Sequence, residues 1–201
     1  MSEPTDASAD SVPGPRTTPP APPSVTPAGP QSGPDVSADS PLDSARLLRN
    51  EAPEGTELHI VGVHLYLQDE HGGVLLGLRH PDAKFASNEW HFLAGHCERE
   101  AAISGLVREA KEEAGLIIEP GDVELVHVVH LIDSPSARPR IGLVFRARSW
   151  SGTPEIMEPD RCVEWRWWPV NNLPADTVPY TRVAIEGIAS GRSYSELGWN
   201  A

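Results

Sequence analysis

Ala94-Gly95-His96-Cys97-Glu98-Arg99-Glu100 runs directly into Ala101-Ala102-Ile103-Ser104-Gly105-Leu106-Val107-Arg108-Glu109-Ala110-Lys111-Glu112-Glu113-Ala114-Gly115-Leu116. Ile103, Leu106, Val107, Ala110 and Ala114 recur at helical spacing, so one helix with an apolar stripe is predicted from Glu100 to Ala114. Gly115 stands just past the last periodic residue, where a left-handed cap belongs. The residues ahead of Glu100 read as a turn-forming loop. Glu109, Glu112 and Glu113 stand at i, i+3 and i+4, so their carboxylates share one helical face. Lys111 points elsewhere and leaves these like charges uncompensated. A hard divalent cation such as Mg²⁺, which takes oxygen ligands, turns that repulsion into coordination. Arg108 precedes Glu112 by one turn and is placed to hold a carboxylate by a forked hydrogen bond.

An acidic helix face alone is usually just solvated. The joint pattern is more specific: a loop bearing Gly95, then Glu100, Arg108-Glu109, Glu112-Glu113 and Gly115. It resembles the signature of the Nudix hydrolases, the MutT-like family. That resemblance implies an α/β/α sandwich with a mixed sheet, and Mg²⁺- or Mn²⁺-dependent hydrolysis of nucleoside diphosphate-linked compounds. By position, Glu109, Glu112 and Glu113 match the family's metal ligands, with Gly95 as the loop glycine. Arg108 matches the arginine that orients a glutamate, and Glu100 the glutamate at the helix start. Arg79, upstream of the signature, matches an arginine that approaches the nucleotide; His91 and His96 flank the loop within reach of phosphate or base. Met157-Glu158-Pro159-Asp160-Arg161-Cys162 through Trp167 resembles a segment of the MutT-like triphosphate pyrophosphohydrolases, in which Glu158 matches a further ligand or base. Two positions depart from the family pattern. The loop from Gly95 to Glu100 is one residue short, and Ala94 stands where a second glycine is common. The shorter loop is expected to tune turnover while the helical carboxylates keep their spacing.

Outward from this segment, Leu58–Leu67 alternates as a strand. Gln68–Gly73 is a turn, and Val74–Arg79 returns as the second arm of a hairpin. His80–Glu89 reads as a loop and Trp90–Leu93 as a short strand. After the helix, Val123–Ile132 and Ile141–Ser149 are strands, as is Cys162–Trp168. Tyr180–Ser190 is a closing amphipathic helix that Gly191 caps, and residues 193–201 form a tail. Short strands around two helices suit a three-layer α/β domain. His127 and His130 fall on opposite faces of their strand, which argues against a shared metal site. Trp165 and Trp167 share one strand face and Trp168 takes the other; aromatics at this spacing are core candidates, with base stacking as the alternative. Cys162 reads as a packed thiol with no basic partner to activate it.

The chain has 201 residues and a formal net charge of -13. Residues 1–54 are dominated by Pro, Ser, Ala, Asp and Thr, lack the apolar content to offset ordering entropy, and are expected to be disordered. The expected catalytic domain spans residues 55–192. There is no basic start with an apolar core of signal-peptide type, and no apolar run of membrane-spanning length. Cys97 and Cys162 are too few for a disulfide framework, which suits a reducing cytoplasm. The acidic balance argues against binding long nucleic acids. A small nucleotide remains compatible, because a metal bridges two anions. A homodimer is one option for the assembly. The expected activity is Mg²⁺-dependent hydrolysis of a nucleoside triphosphate to the monophosphate and pyrophosphate, with Glu113 or Glu158 as general base. The alternatives are a nucleoside diphosphate sugar or dinucleotide hydrolase, and a catalytically silent nucleotide-binding module.

Overall fold

A computed structural model of the chain describes residues 54–199. All but the last residue of the expected disordered tail, residues 1–54, lies outside them. The described chain begins its first sheet with β1 (Ile60–Tyr66) and turns back as β2 (Gly73–Arg79). The turn is fixed by Asp69, whose carboxylate accepts from the N–H groups of Gly73 at 2.7 Å and His71 at 3.0 Å. Next come β3 (Trp90–His91), β4 (Leu93–His96), α1 (Ala102–Ala114) and a single 3₁₀ turn, Pro120–Asp122. The remainder is β5 (Val123–Leu131), β6 (Arg140–Ala147), β7 (Cys162–Pro169), α2 (Pro179–Ala189) and β8 (Tyr194–Leu197).

Two sheets form. The larger runs β4-β1-β6-β5-β8 and is mixed: β1 pairs β6 and β5 pairs β8 in parallel, while β4 and β6 join their other neighbours antiparallel. The smaller runs β3-β2-β7 and is antiparallel. Alternation along β1 sends Val63 and Leu65 into one core with Leu106, Ala110 and Ala114 of α1, and Tyr66 into the other with Ala184 and Ile185 of α2. Each fully buried leucine or isoleucine in these cores contributes about 1.5–3 kcal/mol of transfer free energy. The result is an α/β fold with a mixed sheet and one helix packed on each of the two cores.

Four expectations need correction. The helix begins at Ala102, with Ala101 extended at its N-cap, so Glu100 precedes it. Part of the expected loop is strand: Ala94, Gly95 and His96 belong to β4. The expected single strand at Trp90–Leu93 is divided between the two sheets, with the fully buried Phe92 at the crossing. Residues 193–201, expected as a tail, contain β8, which pairs in parallel with Val128–Leu131. Gly115 does cap α1 in the left-handed region (φ 67°): its N–H donates to the Lys111 carbonyl and the Leu116 N–H to that of Ala110, both at 3.1 Å.

Candidate active site

Arg108 organises the acidic end of α1. Its Nη2 donates to Glu100 Oε1 at 2.7 Å, and its Nη1 donates to Glu109 Oε1 at 2.8 Å and Glu112 Oε2 at 2.9 Å. One guanidinium thus gathers carboxylates from before, within and after its own helical turn. Its hydrogen bonds hold the Glu100 carboxyl below the usual range. The Glu100 carboxylate lies over Gly105, where a Cβ would approach Oε1 to 3.1 Å. That contact accounts for a glycine in a helix interior, where it costs roughly 1 kcal/mol against alanine.

β4 brings Gly95 against the same helix. A Cβ at Gly95 would stand 2.0 Å from Glu109 Cδ, so only glycine lets the half-buried strand and this carboxylate meet. One residue earlier, the Ala94 N–H donates to Glu113 Oε2 at 3.3 Å. Burial, reinforced by the negative charges of Glu109 and Glu158, pushes the Glu113 carboxyl up to about 8. Glu158, on the loop before β7, has Arg161 Nη1 3.3 Å from its Oε2, yet that buried oxygen has no aligned hydrogen bond. The ion pair is therefore an electrostatic contact rather than a directed bond.

Glu109, Glu113, Glu158 and Gly95 line one cleft of about 840 Å³. Arg79, His91 and His96 line it as well, from β2, β3 and β4. The volume lies within the range of small-molecule sites. Arg108, Glu112 and Glu100 are not on its wall; the Glu112 side chain is 52% exposed and is held by Arg108. His91 is enclosed, and burial with the nearby Arg79 cation pushes it down to about 3, so it is a neutral ring rather than a surface cation. Sequence reasoning overlooked a further part of the cleft lining: His64, Lys84, Phe85, Arg140 and Tyr180. Only a histidine among the apolar residues of β1 hinted at it.

The donor set fits a hard divalent cation. Burial, and after it the neighbouring carboxylates, drive Glu113 toward its protonated form, and Glu158 buries an unpartnered oxygen; a cation favours the charged form of the first and gives the second a partner. Among the described residues, no three His, Cys, Asp or Glu side chains already converge as a finished cage.

Other candidates resolve as packing. His127 is fully buried with one ring nitrogen 2.8 Å from the Arg192 carbonyl and the other 3.1 Å from Ser195 Oγ. His130 faces away from it, beside His59 and Trp199. Trp165 and Trp167 pack on the core under α1 and Trp168 on the other core. Burial pushes the Cys162 thiol up to about 11, which leaves it unreactive. Among the described residues no helix is long and apolar enough to cross a membrane.

A family model described as the NUDIX domain matches residues 58–186. Among solved structures the chain is similar to the MutT NUDIX hydrolase from Burkholderia pseudomallei: 28% identity, TM-score 0.58, covering 65% of this chain and 98% of that one. The MutT protein from Methanosarcina mazei Go1 shares the fold at 20% identity and TM-score 0.58, covering 69% of this chain and 97% of that one. The E. coli ORF135 protein does so at 22% identity and TM-score 0.55, covering 69% and 94%. Direct comparison with curated proteins gives no match. The signature on α1, the carboxylate-lined cleft and a family model spanning well over half the chain lead to one conclusion: the chain belongs to the Nudix family and is a hydrolase of phosphorus-containing acid anhydrides in nucleotide-related substrates.

Proposed function

We propose that the cleft hydrolyses nucleoside triphosphates to the monophosphate and pyrophosphate, with Mg²⁺, or Mn²⁺ in its place. The supporting observation is a polarity within one cavity. Glu109, Glu113 and Glu158 stand toward α1, and the cations Arg79 and Lys84 line the same cleft. A polyphosphate satisfies both: its oxygens pair with the cations and share a metal with the carboxylates. Glu109, Glu113 and Glu158, with the Gly95 backbone, would hold the cation; Glu112 would join only by leaving Arg108. When bound, that ion neutralises phosphate charge and lowers the pKa of a coordinated water.

The chain's own groups supply the rest. The Ala94 N–H steadies Glu113 Oε2 and leaves Oε1 to accept the proton of the attacking water. Glu158 is the alternative acceptor. Arg79 is braced by its Nε donating to the Phe85 carbonyl at 2.7 Å, which aims the remaining guanidinium nitrogens at phosphate oxygens. Arg108 acts on Glu109 from behind the cleft wall and orients it. The two free thiols, Cys97 and Cys162, agree with action in a reducing cytoplasm. The test is a panel of nucleoside triphosphates, diphosphate sugars and dinucleotides assayed with Mg²⁺ and product identification. Release of pyrophosphate from a triphosphate supports the reading. Turnover confined to diphosphate sugars or dinucleotides replaces it, and binding without hydrolysis indicates a silent module.

A further inference from the structure

The wall of the cleft beside Gly95 carries hydrogen-bond donors that nothing among the described residues uses. His64 Nδ1 is buried without a partner. An orphaned buried N–H is rarer and costlier than an unpaired lone pair, so the proton of the neutral ring belongs on Nε2. That atom is kept uncovered by two glycines. Gly62 and Gly142 are register partners on β1 and β6, and both line the cleft. A Cβ on Gly62 would stand 3.2 Å from His64 Nε2, and one on Gly142 3.0 Å from it. Beside this ring, Arg140 is fixed in place. Its Nη2 donates to Asp133 Oδ1 at 2.6 Å and to Oδ2 at 2.5 Å. Its guanidinium lies over the Phe85 ring at 5.4 Å and the Tyr180 ring at 6.0 Å. Nη1 makes no hydrogen bond among the described residues.

We propose that His64 Nε2 and Arg140 Nη1 are the specificity-determining pair of this cleft. They select a base with a keto acceptor at purine position 6 or pyrimidine position 4 (guanine, uracil or thymine) over one with an amine at that position (adenine or cytosine). The pair is donor-only toward the cleft. Guanine offers O6 and N7, and thymine offers O4; adenine N6 and cytosine N4 are donors themselves. A donor set against a donor leaves both unpaired in an enclosed site, and that mismatch discriminates strongly. The rings of Phe85 and Tyr180 supply apolar walls for a planar base. The proposal rests on the nucleotide reading of the cleft.

The experiment separates the two. Calorimetry on the full-length protein without metal measures Kd for GMP, UMP, AMP and CMP, and kinetics with Mg²⁺ measures kcat and KM for the four triphosphates. The expected result is that GMP and UMP bind at least about 10-fold more tightly than AMP and CMP, with KM following the same order. His64→Phe and Gly142→Ala should each raise Kd and KM for the keto nucleotides about 10-fold and leave those for the amino nucleotides in place. Gly142→Ala tests the same atom with the histidine retained, by covering Nε2. General structural damage weakens all four alike. Equal affinities, a preference for AMP or CMP, no binding of any nucleotide, or a preference unchanged in both variants overturns the proposal. Selective binding of GMP and UMP without hydrolysis of any triphosphate upholds it while sinking the triphosphatase reading. Hydrolysis with no base preference does the reverse.

Discussion

Replacing Glu113 with glutamine should make the metal-free protein more stable at alkaline pH, by an amount that the surroundings of this carboxyl set. Burial, with Glu109 and Glu158 close by, raises the group from 4.5 to about 8. The folded state therefore binds a proton between those values that the unfolded chain releases. Stability linked to Glu113 is full below pH 4.5, falls as pH rises, and levels off above about 8. At 1.36 kcal/mol per pH unit, the part lost by pH 7 is about 3 kcal/mol. That is a large share of the 5–15 kcal/mol typical of a domain. Glutamine keeps the shape, still accepts from the Ala94 N–H and does not titrate. The assay is urea denaturation in chelator from pH 4.5 to 9, for parent and Glu113→Gln. The difference between the two should open across that window and exceed about 2 kcal/mol at pH 8. Saturating Mg²⁺ should close or invert it, because the cation needs the charge that the variant lacks. Parallel stability curves in chelator would refute the reasoning and return Glu113 to an ordinary solvated carboxylate.

Other substitutions probe neighbouring contacts. Gly95→Ala drives a Cβ to 2.0 Å from Glu109 Cδ, so Mg²⁺ affinity by calorimetry and turnover should both fall by 10²-fold or more, on the order expected for a displaced catalytic group. Arg108→Lys keeps the charge but loses the fork shared by Glu100, Glu109 and Glu112; kcat should drop on the order of 10-fold with KM little changed, and an equal rise in KM would mean that Arg108 contacts substrate instead. Gly187→Ala sets a Cβ 2.3 Å from the His127 ring, away from the cleft; it should lower the melting temperature by the equivalent of about 1–3 kcal/mol while kcat at low temperature holds. Deleting residues 1–50 should leave melting temperature and turnover near those of the full chain, and a large loss in either would show that the segment supports the catalytic domain.

The sequence pattern made α1 legible because everything about it is local. Its stripe, its paired glutamates and the glycine at its end lie within a few turns. The same holds for the β1–β2 hairpin, whose turn Asp69 closes by itself. What escaped depends on distant partners. Trp90–Leu93 reads as one short strand, and its transfer between sheets at Phe92 is decided by the core that buries Phe92. Tyr194–Leu197 is short and polar, and becomes a strand only because Val128–Leu131 offers a free edge. His64 acquires its meaning from Gly142, which the fold alone carries alongside Gly62. The expected ligand set is divided as well: Arg108 Nη1 bridges Glu109 and Glu112, and of the two only Glu109 lines the cleft.

The placement of the tryptophans has an optical consequence. Of the six in the chain, Trp90, Trp165, Trp167 and Trp168 lie on the small sheet, whose β2 also carries Arg79 to the cleft. Trp90 meets Trp168 edge-on at 5.2 Å, and Trp150 lies 6.4 Å from Trp167. Indoles this close couple their electronic transitions, and the sign and size of the resulting circular-dichroism couplet depend on their mutual angle. A small rotation of that sheet, too slight to alter secondary-structure content, therefore changes the near-ultraviolet spectrum. The protein carries an intrinsic, label-free gauge of the wall that its substrate touches.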